Sequence, residues 1–189
     1  IKSPDILSAQ IRTFSFIVFG FISLSACQAT SEPVVGNWSI PEFDGIPDAN
    51  KLNELSGLTR SNTHKDIYWA LNDGDNPSEL IAIDSQAQTK SILEIEGVRN
   101  IDWEDIATFK HNNENYLAIA DTGDNGGIRS ELFIHIIKEP KKLLTNSIAC
   151  ISRTIQFKWP DGPRDSEAMV ADENHQLFLF ISNKRVPAQ

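Results

Sequence analysis

The chain has 189 residues, of which 40% are hydrophobic and 23% are charged, as is usual for a soluble globular domain. Its 26 Asp and Glu residues outnumber its 17 Lys and Arg residues, and the formal net charge is −9. Because binding to a phosphate backbone requires a basic surface, this composition argues against a nucleic-acid partner.

The first 26 residues have the layout of a secretory signal peptide. Two basic residues precede an apolar run over residues 14–24, which is too short for an ordinary membrane span and is followed by small residues. The Leu-Ser-Ala-Cys sequence at 24–27 resembles the lipobox of bacterial lipoproteins. This resemblance implies a lipid on Cys27 as the membrane anchor, and Gln28 favours the outer membrane, facing the periplasm or the cell surface. A plain signal peptide and a buried helix are the alternatives.

Residues 27–50 read as a tether between this anchor and the folded part of the chain. They contain several Pro, Gly, Ser and Thr residues and show little hydrophobic periodicity, although residues 34–40 have the composition of one additional strand. The chain begins at Ile1 rather than at Met and stops at Gln189, just after a predicted strand. We interpret it as an incomplete gene product.

The sequence contains two cysteines, Cys27 and Cys150, so a lipid on the first leaves the second without a disulfide partner. Apolar residues flank Cys150, which predicts a buried thiol that acts as a small hydrophobic side chain. The spacing of the cysteines and histidines is not that of a zinc site.

The third predicted region, residues 51–189, alternates short apolar segments with turn residues and has no long amphipathic pattern. Segments of this kind predict β-strands joined by tight turns. A longer insertion separates the predicted strands that end at 137 and begin at 155. The predicted strands lie around residue 58 and at 67–71, 79–84, 90–96, 105–109, 116–121, 132–137, 155–159, 168–171 and 177–182.

A repeat about 49 residues long runs through this region. Gly-Asp-Asn triplets begin at residues 74 and 123, so they lie 49 residues apart. A strand-rich period of this size predicts an all-β fold, a partial β-propeller of about two and a half four-stranded antiparallel blades, at about 54–97, 102–159 and 165–189. A small sandwich is the alternative. Because a propeller normally needs four or more blades, we expect this polypeptide alone to aggregate or to melt without cooperativity.

Acidic residues occur at the start of the first strand and at the end of the second strand of the predicted blades. These two strands are antiparallel neighbours, so both places lie at one end of a blade, at the mouth of the channel that the blades surround. Crowded carboxylates repel one another and are relieved by a cation, and hard oxygen ligands suit Ca²⁺. The predicted calcium ligands are Asp73, Asp75, Asp102, Glu104, Asp105, Asp121, Asp124 and Glu167.

Glu104 and Glu167 are also candidate catalytic residues, as a metal ligand or a general base, because they share one blade position beside strands expected to be apolar. Turn structure is the alternative for the Gly-Asp-Asn triplets, in which Asp and Asn favour turns while Gly74 and Gly123 supply positive φ. Beyond these residues, the basic pair at 184–185 can bind an anionic substrate or pair with the carboxylates.

Three motifs in this order resemble a family of bacterial secreted β-propeller proteins, similar to the group labelled esterase-like phytase propellers. They are Asp-Trp-Glu-Asp-Ile-Ala at 102–107, Asp-Thr-Gly-Asp-Asn at 121–125 and Pro-Asp-Gly-Pro-Arg-Asp-Ser-Glu-Ala at 160–168. The resemblance covers about residues 52–185 and implies a longer propeller. It implies activity only loosely, because related propellers include calcium-dependent phosphohydrolases, lactonases and binding scaffolds.

Two functions remain open from the sequence. The first is a lipid-anchored binding or scaffold propeller with an acidic Ca²⁺-binding mouth, which the lack of a nucleophile motif or a well-placed His base favours. The second is a Ca²⁺-dependent hydrolase of phosphoesters or other esters, which the repeated carboxylates favour. The expected partner is a small anionic substrate or another protein, and the sequence leaves open whether the protein is an enzyme.

Overall fold

The computed structural model describes residues 44–183, which form eleven β-strands and no helix. The predicted all-β class is therefore confirmed for this part of the chain. In it, no helix has the length and apolar character needed to cross a membrane. The strands are β1 (Leu55–Arg60), β2 (Ile67–Asn72), β3 (Glu79–Asp84), β4 (Thr89–Glu96), β5 (Trp103–His111), β6 (Glu114–Asp121), β7 (Leu132–Lys138), β8 (Asn146–Cys150), β9 (Arg153–Phe157), β10 (Asp165–Asp172) and β11 (Leu177–Asn183).

Several predictions lie outside the described residues. They are the signal peptide at 1–26, the lipidated Cys27, most of the tether at 27–50, and the basic pair at 184–185. Only residues 44–50 of the tether are described, and they belong to no strand. At Gly45 this segment lies so close to the turn between β3 and β4 that a Cβ atom would be 2.1 Å from the Gln86 carbonyl oxygen.

The strands form three sheets. The first has the order β1-β2-β3-β4-β8, the second has the order β5-β6-β7-β9, and the third is the hairpin β10-β11. All neighbouring strands are antiparallel except β4 and β8, which are parallel. Antiparallel strands that follow one another in the chain are joined by a tight turn, as between β5 and β6, or by a longer loop, as at residues 122–131 between β6 and β7.

The insertion between residues 137 and 155 contains β8, a strand that was not predicted from the sequence. Its residues pair with β4 from Ile92↔Asn146 to Glu96↔Cys150, and the Ser91 hydroxyl donates a hydrogen bond to the Leu144 carbonyl just before it. The prediction of a buried Cys150 is wrong, because Cys150 is exposed. Side chains alternate along a strand, and the neighbouring Ala149 packs against the core, so Cys150 faces outward.

Two apolar layers join the three sheets. Between the first and second sheets lie large side chains that are essentially fully buried, among them Trp69, Leu80 and Trp103. Between the second and third sheets lie small residues of β6, such as Ala118, under the aromatic rings of Phe178 and Phe180. Burying one large apolar side chain contributes about 1.5–3 kcal/mol, so these layers hold the sheets face to face.

The first strands of the three sheets lie next to one another. The hydroxyls of Thr59 on β1 and Thr108 on β5 are 3.4 Å apart. The Met169 amide on β10 donates a hydrogen bond of 2.7 Å to Asp105 Oδ2 on β5. Since the sheets face each other and their first strands are adjacent, the residues that begin β1, β5 and β10 come together at one end of the fold.

Candidate metal centre

The same β-bulge occurs near the start of each first strand. The register shifts at Ser56 in the β1–β2 pair, at Glu104 in the β5–β6 pair and at Glu167 in the β10–β11 pair. A bulge inserts one unpaired residue and re-aims its side chain, which is common beside functional sites. The bulges therefore set these three side chains apart from the regular alternation of their strands.

Five carboxylates from three segments of the chain converge at this end of the fold, and we call them the acidic cluster. Asp73, Asp102 and Glu104 each offer an oxygen within 4.8 Å of the others, and Glu104, Asp165 and Glu167 do the same. Glu104 belongs to both groups, so it joins them. Two full charges 4.8 Å apart repel by roughly 3 kcal/mol at an effective dielectric constant of 20, so the cluster favours a bound cation or bound protons.

Glu104 is the most deeply placed member of the cluster, with only 2% of its surface exposed. The Ser56 hydroxyl contacts it twice, donating toward the Glu104 carbonyl oxygen at 2.8 Å and toward Oε2 at 3.1 Å. Burial, followed by the hydrogen bond and charge of Glu167, raises the pKa of Glu104 to about 9. At neutral pH and without a cation, this side chain therefore carries a proton.

The neighbouring acids shift in the same direction. Burial, and next the charge of Asp73, raises the pKa of Asp102, although the nearby Arg129 guanidinium acts the other way. A hydrogen bond with Asp165 raises the pKa of Glu167, while its contact with Glu104 lowers it. Proton uptake therefore relieves part of the repulsion among these carboxylates, and a cation at the same place would relieve it instead.

Gly74 and Gly123 are necessary here for space rather than for turn conformation. The prediction that they supply positive φ is wrong, since the described glycines with positive φ are Gly97, Gly127 and Gly162. A Cβ atom on Gly123 would lie 2.2 Å from Glu104 Oε1 and 2.4 Å from Asp102 Oδ2. A Cβ atom on Gly74 would lie 2.6 Å from Asp102 Oδ1. Glycine thus lets the carboxylates rest directly on the backbone of the two Gly-Asp-Asn segments.

Four of the predicted ligands lie elsewhere, and two of them make contacts away from the cluster. Asp75 is exposed and its Oδ1 lies 2.8 Å from Arg99 Nη2. Asp105 accepts hydrogen bonds from the Ile106 amide at 2.8 Å and from the Met169 amide at 2.7 Å. Burial raises the pKa of Asp105, while these two hydrogen bonds lower it. Asp105 therefore ties the second sheet to the third.

The other two, Asp121 and Asp124, hold the segment 122–129, which we call the 122–129 loop. Asp124 accepts hydrogen bonds from the amides of Ile128 at 2.8 Å and Arg129 at 3.1 Å, which closes the loop on itself. Asp121 is fully buried, and its Oδ1 lies 2.8 Å from Arg129 Nη2, while its Oδ2 lies 3.7 Å from His135 Nε2. Their carboxylates support the loop that borders the acidic cluster.

The predicted ligand set lacked Asp165, and the sequence analysis did not single out Arg129. A signal for Asp165 existed, because Asp-x-Glu occurs at 102–104 and again at 165–167 with the Glu at the bulge each time. Asp165 thus corresponds to Asp102. Arg129 carries no such signal, since its role depends on how the 122–129 loop folds.

The acidic cluster has the chemistry to hold a metal ion: its donors are carboxylate oxygens, and two glycines let these carboxylates pack against the backbone close to one another. Among known proteins, no family model, no curated protein and no solved structure matches the chain significantly.

Proposed function

We propose that the protein is a β-propeller binding or scaffold protein whose acidic cluster binds Ca²⁺. The observation that carries the proposal is the meeting of two carboxylate groups at one buried residue, Glu104. A carboxylate that is almost fully buried among other carboxylates is costly unless protons or a cation neutralise the group. The position of Glu104 on a bulge is consistent with a functional role rather than a packing role.

The propeller assignment rests on the repetition of one unit. Each sheet starts with the strand that touches the neighbouring sheets, and each first strand carries its bulge at the corresponding residue. Ser56 and Glu104, which occupy that position in the first two sheets, are 48 residues apart and in contact. Repeated sheets that pack face to face around their first strands are what a propeller requires.

Calcium is the cation that suits these ligands best. Both groups consist of carboxylates alone, without His or Cys, and such hard oxygen donors favour Ca²⁺, Mg²⁺ or Mn²⁺ over zinc or copper. Ca²⁺ accepts six to eight oxygens in irregular geometry, whereas Mg²⁺ demands a near-ideal octahedron and retains its waters. A cluster drawn from three separate segments of the chain fits the more tolerant ion.

A Ca²⁺-dependent hydrolase of phosphoesters or other esters is the second candidate. One observation favours it: the pKa of Glu104 is raised to about 9, mainly by burial, and strongly perturbed carboxylates are concentrated at catalytic sites. Such a residue can hold a proton at neutral pH and act as a general acid. Structural clusters also shift pKa values, and the two groups that define the cluster contain no His, so binding is the stronger proposal.

The test combines calorimetric titration with Ca²⁺ and Mg²⁺ and assays on phosphoester and lactone substrates. We expect the protein to bind Ca²⁺ more tightly than Mg²⁺, and we expect Glu104→Gln and Glu167→Gln to weaken binding. Turnover that disappears in Glu104→Gln would move the assignment to the hydrolase. If Ca²⁺ produces no heat of binding in the titration and does not change the stability of the protein, both candidate functions are contradicted.

The membrane anchor belongs to the same proposal and rests on the sequence around Cys27. We propose that Cys27 carries lipid and that the propeller faces the periplasm or the cell surface from the outer membrane. Mass spectrometry of the mature protein from a bacterial host should detect a diacylglyceryl group on Cys27, and Cys27→Ser should release the protein from the membrane fraction. A soluble, unlipidated wild type would contradict the anchor without affecting the Ca²⁺ proposal.

A further inference from the structure

We propose that Arg129 is a positioning residue for the acidic cluster, which it shapes through the 122–129 loop without being one of its members. The inference rests on the proposed Ca²⁺ function, since it concerns how that site keeps its geometry. Arg129 contacts Gly123 and Asp121, which border the cluster, yet it belongs to neither carboxylate group.

The guanidinium makes two contacts that close the base of the loop. Nη1 donates a hydrogen bond of 2.7 Å to the Gly123 carbonyl oxygen, and Nη2 lies 2.8 Å from Asp121 Oδ1. The Arg129 side chain is 15% exposed and Asp121 is fully buried, so both contacts are largely shielded from water. A planar guanidinium can contact two acceptors at once, which a lysine ammonium on its flexible stem cannot reproduce.

The loop held in this way touches the cluster from two sides. The Gly123 amide donates a hydrogen bond of 3.1 Å to the Asp102 carbonyl oxygen, and the Asp124 amide donates one of 2.8 Å to Asp165 Oδ1. Thr122 Oγ1 donates a hydrogen bond of 2.8 Å to the Ser166 carbonyl oxygen on β10. The loop therefore fixes a carboxylate of each group, one directly and one through its backbone.

Gly123 is the link between Arg129 and the carboxylates. Its backbone lies directly against the Asp102 and Glu104 side chains, while its carbonyl oxygen accepts the Arg129 hydrogen bond. A shift of this peptide of even a few tenths of an ångström therefore changes where the two carboxylates can rest. An arginine that only neutralised Asp121 would stabilise the fold without any effect of this kind on the cluster.

The experiment compares Arg129→Lys with Arg99→Lys. Arg99 makes a similar ion pair with Asp75, but on the exposed surface, so it is a matched control. We expect Arg129→Lys to weaken Ca²⁺ binding by about 10-fold or more in calorimetric titration, as is typical when a supporting residue of a metal site changes, and Arg99→Lys to leave it unchanged. Hydrogen exchange measured in chelator should show faster exchange of the Gly123 and Asp124 amides in Arg129→Lys alone.

A second variant distinguishes the loss of positioning from a folding defect caused by an unpaired buried charge. Asp121→Asn combined with Arg129→Gln removes both buried charges together, so no unpaired charge remains, and it should still lower Ca²⁺ affinity. If the wild type binds Ca²⁺ and both Arg129 variants bind it equally well, only the positioning role is overturned. If the wild type binds no Ca²⁺, the proposed function fails and this inference falls with it.

Discussion

Glu104 determines how the charge of the acidic cluster depends on pH. Its pKa is raised by burial from 4.5 to about 9, so the folded protein binds this proton more tightly than the unfolded chain does. The stabilisation is complete below about pH 4.5 and is lost as the pH rises through about 9. The raised pKa values of Asp102 and Glu167 act in the same direction.

We therefore predict that, in chelator, the denaturant concentration at which half of the protein is unfolded falls as the pH increases from about 5 to about 9. Glu104→Gln should flatten most of this dependence and should lower Ca²⁺ affinity by about 100-fold, because it removes the carboxylate that both groups share. Denaturant titrations at several pH values measure the first effect. Glu131→Gln, at an exposed residue, is the control, and an unchanged slope in Glu104→Gln would contradict the prediction.

Gly123 offers a test of packing at the cluster. Gly123→Ala would place a Cβ atom 2.2 Å from Glu104 Oε1 and 2.4 Å from Asp102 Oδ2, so the two carboxylates must move apart. We expect Ca²⁺ affinity to fall by about 10- to 100-fold. Gly126→Ala is the matched control, because the atoms nearest to its Cβ atom would belong to the Ile128 side chain, at 3.4 Å or more. Equal affinities of the two variants in calorimetric titration would show that Gly123 does not set the carboxylate positions.

At the residue scale, the sequence revealed which acids exist and that several would meet, but not which ones. Asp73, Asp102, Glu104 and Glu167 were predicted as ligands and do come together. Asp121 and Asp124 carry the same local signal, yet their carboxylates bind a guanidinium and loop amides. Asp and Asn in a turn look alike in sequence whether they cap the turn or face a ligand, and only distant partners decide between the two.

At the scale of elements, a buried carboxylate joins the first and second sheets at Glu139, directly after β7. It is 4% exposed and accepts hydrogen bonds from Ser61 Oγ at 2.5 Å, Thr63 Oγ1 at 2.6 Å and Trp69 Nε1 at 2.9 Å. Since hydrogen bonds to a charged acceptor are strong, Glu139 stabilises the contact between the first sheet, including the β1–β2 turn, and the second sheet.

We predict that Glu139→Ala lowers the free energy of unfolding by about 3 kcal/mol, because it leaves the buried Trp69 and Ser61 donors without an acceptor. Glu131→Ala, at an exposed position just before β7, should change it by less than about 0.5 kcal/mol. Chemical denaturation measures both. Similar losses of stability in the two variants would mean that the hydrogen bonds to Glu139 do not stabilise the contact between the sheets.

The hairpin β10–β11 has two apolar faces, of which one is covered. Phe178 and Phe180 pack against the second sheet, whereas Leu179 and Ile181 are 50% and 76% exposed. Exposed apolar strands are association sites. We predict that Ile181→Lys reduces self-association in sedimentation experiments with little change in melting temperature.

Phe180→Lys is the contrasting variant, because the Phe180 ring lies 5.2 Å from the Phe157 ring and 5.8 Å from the Trp159 ring. It should loosen the third sheet and increase association. If Ile181→Lys associates as strongly as the wild type, the exposed face is not the cause of association.

Strand positions were largely predictable, because alternation within a strand is a local property. Most predicted segments agree with the observed strands to within a few residues, as at 79–84 for β3. β8 was missed because its partner, β4, lies about fifty residues earlier and its sequence is only partly apolar. The burial of Cys150 was mispredicted for the same reason, since the face of an edge strand depends on its pairing.

At the scale of the whole molecule, repetition was the most informative feature of the sequence. The 49-residue spacing of the Gly-Asp-Asn triplets anticipated sheets that repeat one plan, and the bulges at Ser56, Glu104 and Glu167 follow that plan. The all-β class is confirmed for the described residues, while the partial β-propeller and the lipid anchor stay predictions. The burial of Glu104 could not be foreseen, because it results from contacts between sheets. The contacts of Arg129 with Asp121 and Gly123 could not be foreseen either, because they form across a folded loop.

Diffraction from crystals soaked in Tb³⁺, a Ca²⁺ substitute with strong anomalous scattering, would show whether the acidic cluster binds a cation of this kind. If Ca²⁺ binds there, an anomalous peak should lie about 2.3–2.6 Å from carboxylate oxygens of Glu104 and of at least two other members of the cluster, and excess Ca²⁺ should displace it. Tb³⁺ bound elsewhere, with no peak beside Glu104, would contradict the proposed Ca²⁺ binding.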